Sequence, residues 1–122
     1  MKLSDQQIDV MRVLWQRHEA TTAEVHEALN AQRQLAYTTV ATLLRRLEEK
    51  GAINHRSEGR QFVYHALVQE EEVQRGMLRH MVDGLFAGDA SALVSRLLGD
   101  DKISDADLKR IEALLEDKSD GV

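Results

Sequence analysis

The chain has 122 residues, 43% of them hydrophobic and 30% charged, with a formal net charge of −5. That is the size of one domain, or of a small domain with an appendage, and no run approaches the roughly 18 apolar residues of a membrane-spanning helix. Cysteine and proline are both absent, which excludes disulfides, thiolate metal sites and a cysteine nucleophile, and suits a mostly helical chain with short connections.

The opening Met-Lys-Leu-Ser-Asp-Gln-Gln lacks the apolar core of a signal peptide, so the chain is read as cytoplasmic. The first helix is expected over residues 4 to about 17. Ser4 with Gln7 forms a capping-box pair, and Ile8, Met11 and Trp15, with Leu14 alongside, form its apolar stripe. Trp15 reads as a core anchor, with substrate stacking as the alternative. Thr21 with Glu24 repeats the capping-box pattern and opens a short second helix, whose Val25, Ala28 and Leu29 face inward.

A connection around residues 32–35 leads to a third helix over residues 36–51. Val40, Leu43, Leu44 and Leu47 recur at i, i+3, i+4 and i+7, the stripe of a helix with one buried face. Thr38, Thr42 and Arg45 point away from the stripe, while Thr39, Ala41 and Arg46 flank it. Short hydroxyls, one methyl and two guanidiniums make a face that fits a DNA groove, where a bulky or acidic face would not. Ala36 stands where a serine or threonine cap is expected, and Gly51 supplies the left-handed residue that ends the helix.

The period then changes. Phe62, Tyr64 and Ala66 alternate with Gln61, Val63 and His65, and Gly59 provides a turn, so residues 52–66 read as a β-hairpin. Helix, turn, helix and a basic hairpin is the winged-helix order. Arg56 and Arg60 at the hairpin tip could reach phosphates or a minor groove; the alternative is a solvated charged turn. Residues 31–65 hold six basic side chains against three acidic ones, net +3, whereas residues 1–30 are net −2 and residues 66–122 net −6. Basic charge gathers around the reading helix, and the acidic remainder would orient docking.

The rest of the chain is acidic and helical. Val73, Met77, Met81 and Leu85 form one stripe, widened by Leu78 and Val82, before Gly84, Gly88 and Asp89 break the helix. Leu93, Val94, Leu97 and Leu98 lie on a second short helix. Ser104 caps a third, with Asp105 and Asp107 in its first turn and Leu108, Ile111, Leu114 and Leu115 on its apolar face. Three short helices cannot hide this much apolar surface alone. A second copy of the chain is the simplest cover; folding back onto the first domain is the alternative. The expected organisation is a DNA-binding domain over residues 1–67, a helical dimerisation domain over 68–117 and a flexible tail over 118–122.

No catalytic or metal constellation emerges. The five histidines are scattered, none at the i, i+4 spacing of a helical metal site. Asp100, Asp101, Asp105 and Asp107 lack the glycine and closing glutamate of a calcium loop. The glycines form no phosphate-binding fingerprint, and Ser57, Ser91 and Ser95 have no nucleophile-elbow context. Neither enzyme activity, cofactor nor metal is expected.

The segment from Leu3-Ser4 to Trp15, the run Tyr37-Thr38-Thr39-Val40-Ala41-Thr42-Leu43-Leu44-Arg45-Arg46-Leu47-Glu48-Glu49-Lys50-Gly51, and Gly59-Arg60 leading to Tyr64 resemble the BlaI/MecI/CopY family of bacterial winged-helix repressors. Leu93-Val94 and residues 100–115 resemble its dimerisation arm. The resemblance implies a mainly α fold with a small β-hairpin wing, namely an N-terminal winged helix-turn-helix and a C-terminal three-helix arm that interlocks with its twin. It implies repression through inverted repeats with TACA and TGTA halves. Carried over, Thr38, Thr39, Thr42 and Arg46 match the reading helix and Arg60 the wing. With Tyr37, Arg45 and Arg56 these form the expected DNA-binding set. The expected dimer set is Val73, Met77, Met81, Leu85, Leu93, Val94, Leu97, Leu98, Leu108, Ile111 and Leu115. Copper-responsive members bind Cu(I) through cysteines, which this chain lacks. Other members are inactivated by a membrane sensor protease cutting an Asn-Phe bond, and the matching bond here is Arg96-Leu97. The competing class is a winged helix used for protein interaction without DNA, which the net negative charge favours.

Overall fold

The structure is a computed structural model that describes residues 1–120. In chain order it contains α1 (Asp5–Arg17), β1 (Glu19–Thr21), α2 (Thr22–Asn30), α3 (Tyr37–Glu49), β2 (Ile53–Glu58), β3 (Gln61–Ala66), α4 (Glu70–Leu85), α5 (Ala90–Leu98) and α6 (Asp105–Asp120). The fold is mainly helical with one small antiparallel sheet, as the periodicities implied. Two compact units divide it, Met1–Met77 and Leu78–Val122.

Both capping boxes form. The Ser4 hydroxyl accepts from Gln7 N while Gln7 Oε1 accepts from Ser4 N; Thr21 and Glu24 repeat the exchange at α2. The α1 stripe, however, is rotated from the expected one. Val10, Met11, Val13 and Leu14 are buried, whereas Ile8 and Trp15 are only partly so. Trp15 is held from its rim, its indole N–H donating to Val68 O at 2.9 Å.

The three N-terminal helices close over one core. Val10, Met11, Leu14, Val25, Val40, Leu44 and Leu47 are all almost completely buried there. The α3 stripe is therefore the inner wall of that core, which turns the threonine and arginine face outward.

The sheet has the order β1-β3-β2. β1 was not foreseen from sequence; it is three residues long and pairs Glu19, Ala20 and Thr21 with His65, Tyr64 and Val63. β2 and β3 form the expected hairpin, with Glu58 opposite Gln61 and Gly59-Arg60 as a two-residue loop. Gly59 has φ +62° and Arg60 has no positive φ, the pattern of a type II′ turn. Gly51, at φ +82°, ends α3 as expected.

In the second unit Asp89 caps α5, accepting from Ala92 N and the Ser91 hydroxyl, so its carboxyl sits below the ordinary aspartate range. Ser104 caps α6 by accepting from Asp107 N at 3.1 Å. The tail expected over residues 118–122 is helical as far as Asp120, and residues 121 and 122 lie outside the described residues.

Candidate nucleic-acid interface

α3 is fixed at both ends. At its C-terminal end the Lys50 ammonium donates to Lys2 O at 2.9 Å and to Gln7 Oε1 at 3.0 Å. Gln7 is the buried polar side chain among the described residues, and its oxygen is satisfied by Ser4 N and Lys50 together. At the other end the turn into α3 is tied by α2. Asn30 Oδ1 accepts from Leu35 N, and His26 Nε2–H donates to Leu35 O at 2.9 Å. The same imidazole meets the Tyr37 ring edge-on at 5.6 Å.

Between these anchors, Thr38, Thr39, Arg45 and Arg46 are exposed, and Ala41 and Thr42 half-buried. The Thr42 hydroxyl donates to Thr38 O at 3.0 Å, which leaves its oxygen able to accept a further hydrogen bond. Ala36 provides no side-chain cap, so the first-turn N–H groups keep their binding capacity.

The charge of the region is more focused than its composition implies. Arg33 pairs with Asp9 at 3.3 Å, and Arg45 lies loosely beside Glu49 at 3.9 Å. Arg56 is not at the hairpin tip. It lies mid-strand on β2 opposite Val63, and its guanidinium grips Glu19 with two nitrogens and Glu58 with one. The bond from Arg56 holds the Glu19 carboxyl below its ordinary 4.5, and Glu19 in turn pushes the guanidinium up. Among the described residues, Arg46 and Arg60 have no carboxylate within ion-pair distance. They sit on the outer face of α3 and at the wing tip.

Arg60 also lines a cleft of about 200 Å³ with Tyr37, Phe62, Gln61 and the start of α2 at Thr21, Thr22 and Ala23. Tyr37 and Phe62 are about half exposed there. The α2 wall was missed by sequence reasoning, because nothing local brings Thr21 near a residue 39 positions on.

The residues expected at a dimer face divide into two groups. Val73 is buried in the core of the first unit and Met77 packs against it, because the first turns of α4 belong to that unit. Met81, Leu85, Val94, Leu97, Leu98 and Leu115 are exposed, and Leu93, Leu108 and Ile111 half-buried. Val82 is the one buried apolar side chain of the second unit among the described residues. Arg96 and Leu97 are exposed within the last turn of α5. No metal-ligating cluster and no helix long and apolar enough to cross a membrane occur among the described residues.

A helix-turn-helix whose second helix bears an exposed Thr/Arg face, followed by a hairpin wing, is a winged helix-turn-helix domain. Residues 3–117 match the family model of the penicillinase repressor. The chain belongs to that family, as its resemblance to BlaI and MecI implied. It is 29% identical over 116 residues to the penicillinase repressor of Bacillus licheniformis, covering 95% of this chain and 91% of that one. It is 41% identical over 85 residues to the transcriptional regulator BlaI of Mycobacterium tuberculosis, covering 69% of this chain and 59% of that one. The solution structure of Bacillus licheniformis BlaI in its monomeric form, in complex with the blaP half-operator, aligns at 38% identity with a TM-score of 0.52. That alignment covers 59% of this chain and 88% of that one. The family is one of transcriptional repressors, not of enzymes.

Proposed function

We propose that the chain is a dimeric cytoplasmic repressor that binds inverted-repeat operator DNA of the TACA/TGTA type. α3 enters the major groove, with Thr38, Thr39 and Thr42 against base edges and thymine methyls, and Arg46 on guanine or phosphate. Tyr37 and Arg60 hold the sugar-phosphate backbone along the cleft beside the wing, and Arg45 supplies a further phosphate contact. The observation that carries the reading is the position of Arg46 and Arg60, which among the described residues have no carboxylate partner and stand on the two elements a winged helix presents to DNA. Arg56, clasped by two carboxylates, acts in holding the wing and not in binding phosphate.

Dimerisation through the second unit completes the reading, because one copy of α3 covers only half of an inverted repeat. Leu85, Leu114 and Leu115 are each more than 60% exposed in the single chain. Burying such side chains is worth about 1.5–3 kcal/mol each, which favours a second copy. Val73 and Met77 support the first unit instead. The domain boundary that fits these roles lies within α4. Release by an inducing signal would act on this arm. A sensor protease cutting at Arg96-Leu97 would first have to open the end of α5, since proteases act on unfolded or looped segments.

Fluorescence anisotropy with a palindromic TACA/TGTA duplex tests the reading. Tight, salt-sensitive binding is expected, weakened by Arg46→Ala and Thr39→Ala. Unchanged affinity in both variants would remove α3 from the reading role. Equal binding to random DNA with a flat salt response would favour the protein-interaction alternative.

A further inference from the structure

We propose that Glu48 and His55 are positioning residues for operator binding, setting where the wing tip stands relative to the reading face of α3. The proposal rests on the operator-binding reading above and names what holds its two contact elements in register.

The need for such a tie follows from the sheet. β1 pairs only with His65, Tyr64 and Val63, so the hairpin beyond Val63 has no third strand. A two-stranded ribbon is marginally stable and twists readily. Arg60 sits at the end of that ribbon, opposite the root where residues 50–52 join it to α3.

Side chains bridge the gap. Glu48 lies in the last turn of α3, on the flank between its buried stripe and its exposed face. His55, on β2, hydrogen-bonds through Nδ1 to Glu48 Oε1, the ring N–H donating and the carboxylate oxygen accepting. The imidazole then stacks on the Phe62 ring, with centroids 4.0 Å apart and planes at 22°. Phe62 meets Tyr64 edge-on at 6.3 Å, and Tyr64 is rooted in the core. Phe62 also lines the cleft beside Arg60. A chain of contacts thus runs from α3 through Glu48, His55 and Phe62 to the neighbourhood of Arg60. Neither Glu48 nor His55 lies on the outer face of α3 or at the wing tip, so their effect on DNA passes through other residues.

The test is a double-mutant cycle on the full chain, read as affinity for the palindromic duplex at fixed salt. Glu48→Ala is expected to weaken binding about tenfold, within the range of coupled neighbours. Glu48→Gln keeps an oxygen that accepts from Nδ1–H, and should stay within about twofold of the parent. In an Arg60→Ala background, Glu48→Ala should cost less than about twofold, because the contact it positions is already gone. His55→Phe keeps the stack without the hydrogen bond and should itself weaken binding about tenfold, which tests the tie where Glu48→Ala fails to fold. Amide order parameters at Gly59 and Arg60, measured without DNA, should fall in Glu48→Ala and not in Glu48→Gln.

Losses that add fully with Arg60→Ala, or a Glu48→Gln variant as weak as Glu48→Ala, would overturn the positioning role while operator binding stands. A parent chain that fails to bind the duplex would overturn the operator reading and this proposal with it.

Discussion

The two wing arginines differ in a way that salt titration can read. Counterion release gives log K a slope against log salt of about −0.9 for each phosphate neutralised on duplex DNA. A dimer carries two copies of each arginine. If Arg60 contacts phosphate in both, Arg60→Ala should flatten the slope by about 1.8. Arg56 is expected to behave otherwise. It is held by Glu19 through two nitrogens and by Glu58 at 3.0 Å, so it neutralises protein carboxylates and releases few DNA counterions. Arg56→Ala should leave the slope within about 0.5 of the parent. Freeing Arg56 by Glu19→Gln with Glu58→Gln should steepen the slope by up to about 1.8. Anisotropy titrations with one duplex from about 50 to 200 mM salt cover the range in which this term is large. An Arg56→Ala variant that flattens the slope as much as Arg60→Ala would refute the assignment, since the ion-pair clasp would then yield to DNA.

Four further outcomes follow from particular side chains. Leu44 is fully buried between α3 and the core, so Leu44→Ala should lower unfolding free energy by about 2–5 kcal/mol in chemical denaturation. His18 is exposed and ends α1 at φ +70°, a conformation that favours glycine; His18→Gly should therefore stabilise by about 1 kcal/mol in the same assay. Glu19 has its carboxyl pKa lowered below 4.5 by Arg56. A lowered carboxylate contributes stability above its unfolded pKa and loses it as pH falls through the folded value. Glu19→Gln should thus lose stability near neutrality and flatten the decline below about pH 4.5, followed by urea melts across that range. Leu115 is 61% exposed, and Leu115→Glu should shift sedimentation from twice the 13.8 kDa chain mass toward the monomer; an unchanged dimer would place the interface elsewhere.

What the sequence made legible was local. Capping boxes at Ser4/Gln7 and Thr21/Glu24 depend on three-residue spacing, and both form. The α3 stripe repeats at 3.6 residues over two turns, so its buried and open faces could be assigned. Gly51 and Gly59 mark backbone turns that favour glycine, and both have positive φ. What was hidden depends on distant partners. β1 is Glu-Ala-Thr, too short and too weakly β-forming to stand out, and exists because β3 offers it an edge. Arg56 reads as a free cation until Glu19, 37 residues earlier, is placed beside it. Val63 is buried yet lies outside the main core. The register sets it on the outer sheet face between Arg56 and Thr21, which alternation alone does not reveal. Val73 repeats at the spacing of Met81 and Leu85, but the same helix serves two units, and periodicity does not say where one ends.

The net charge of −5 is compatible with DNA binding because charge acts through where it is uncompensated. Of the six basic residues over positions 31–65, Arg33 and Arg56 are matched by carboxylates inside the fold, and Lys50 is spent on a carbonyl and an amide oxygen. These three hold α3 and the wing in place. In the proposed operator complex, meeting the phosphates falls to Arg46 and Arg60, with Arg45 loosely paired beside them. Such an arrangement gains little from the sheer number of positive charges and much from fixed geometry. Rigid placement lowers the ordering cost of binding, and the acidic surface elsewhere disfavours other docking orientations. Under the proposed operator reading, selectivity rests on the pairing of Arg33, Arg56 and Lys50 inside the fold, which leaves Arg46 on α3 and Arg60 at the wing tip open to DNA.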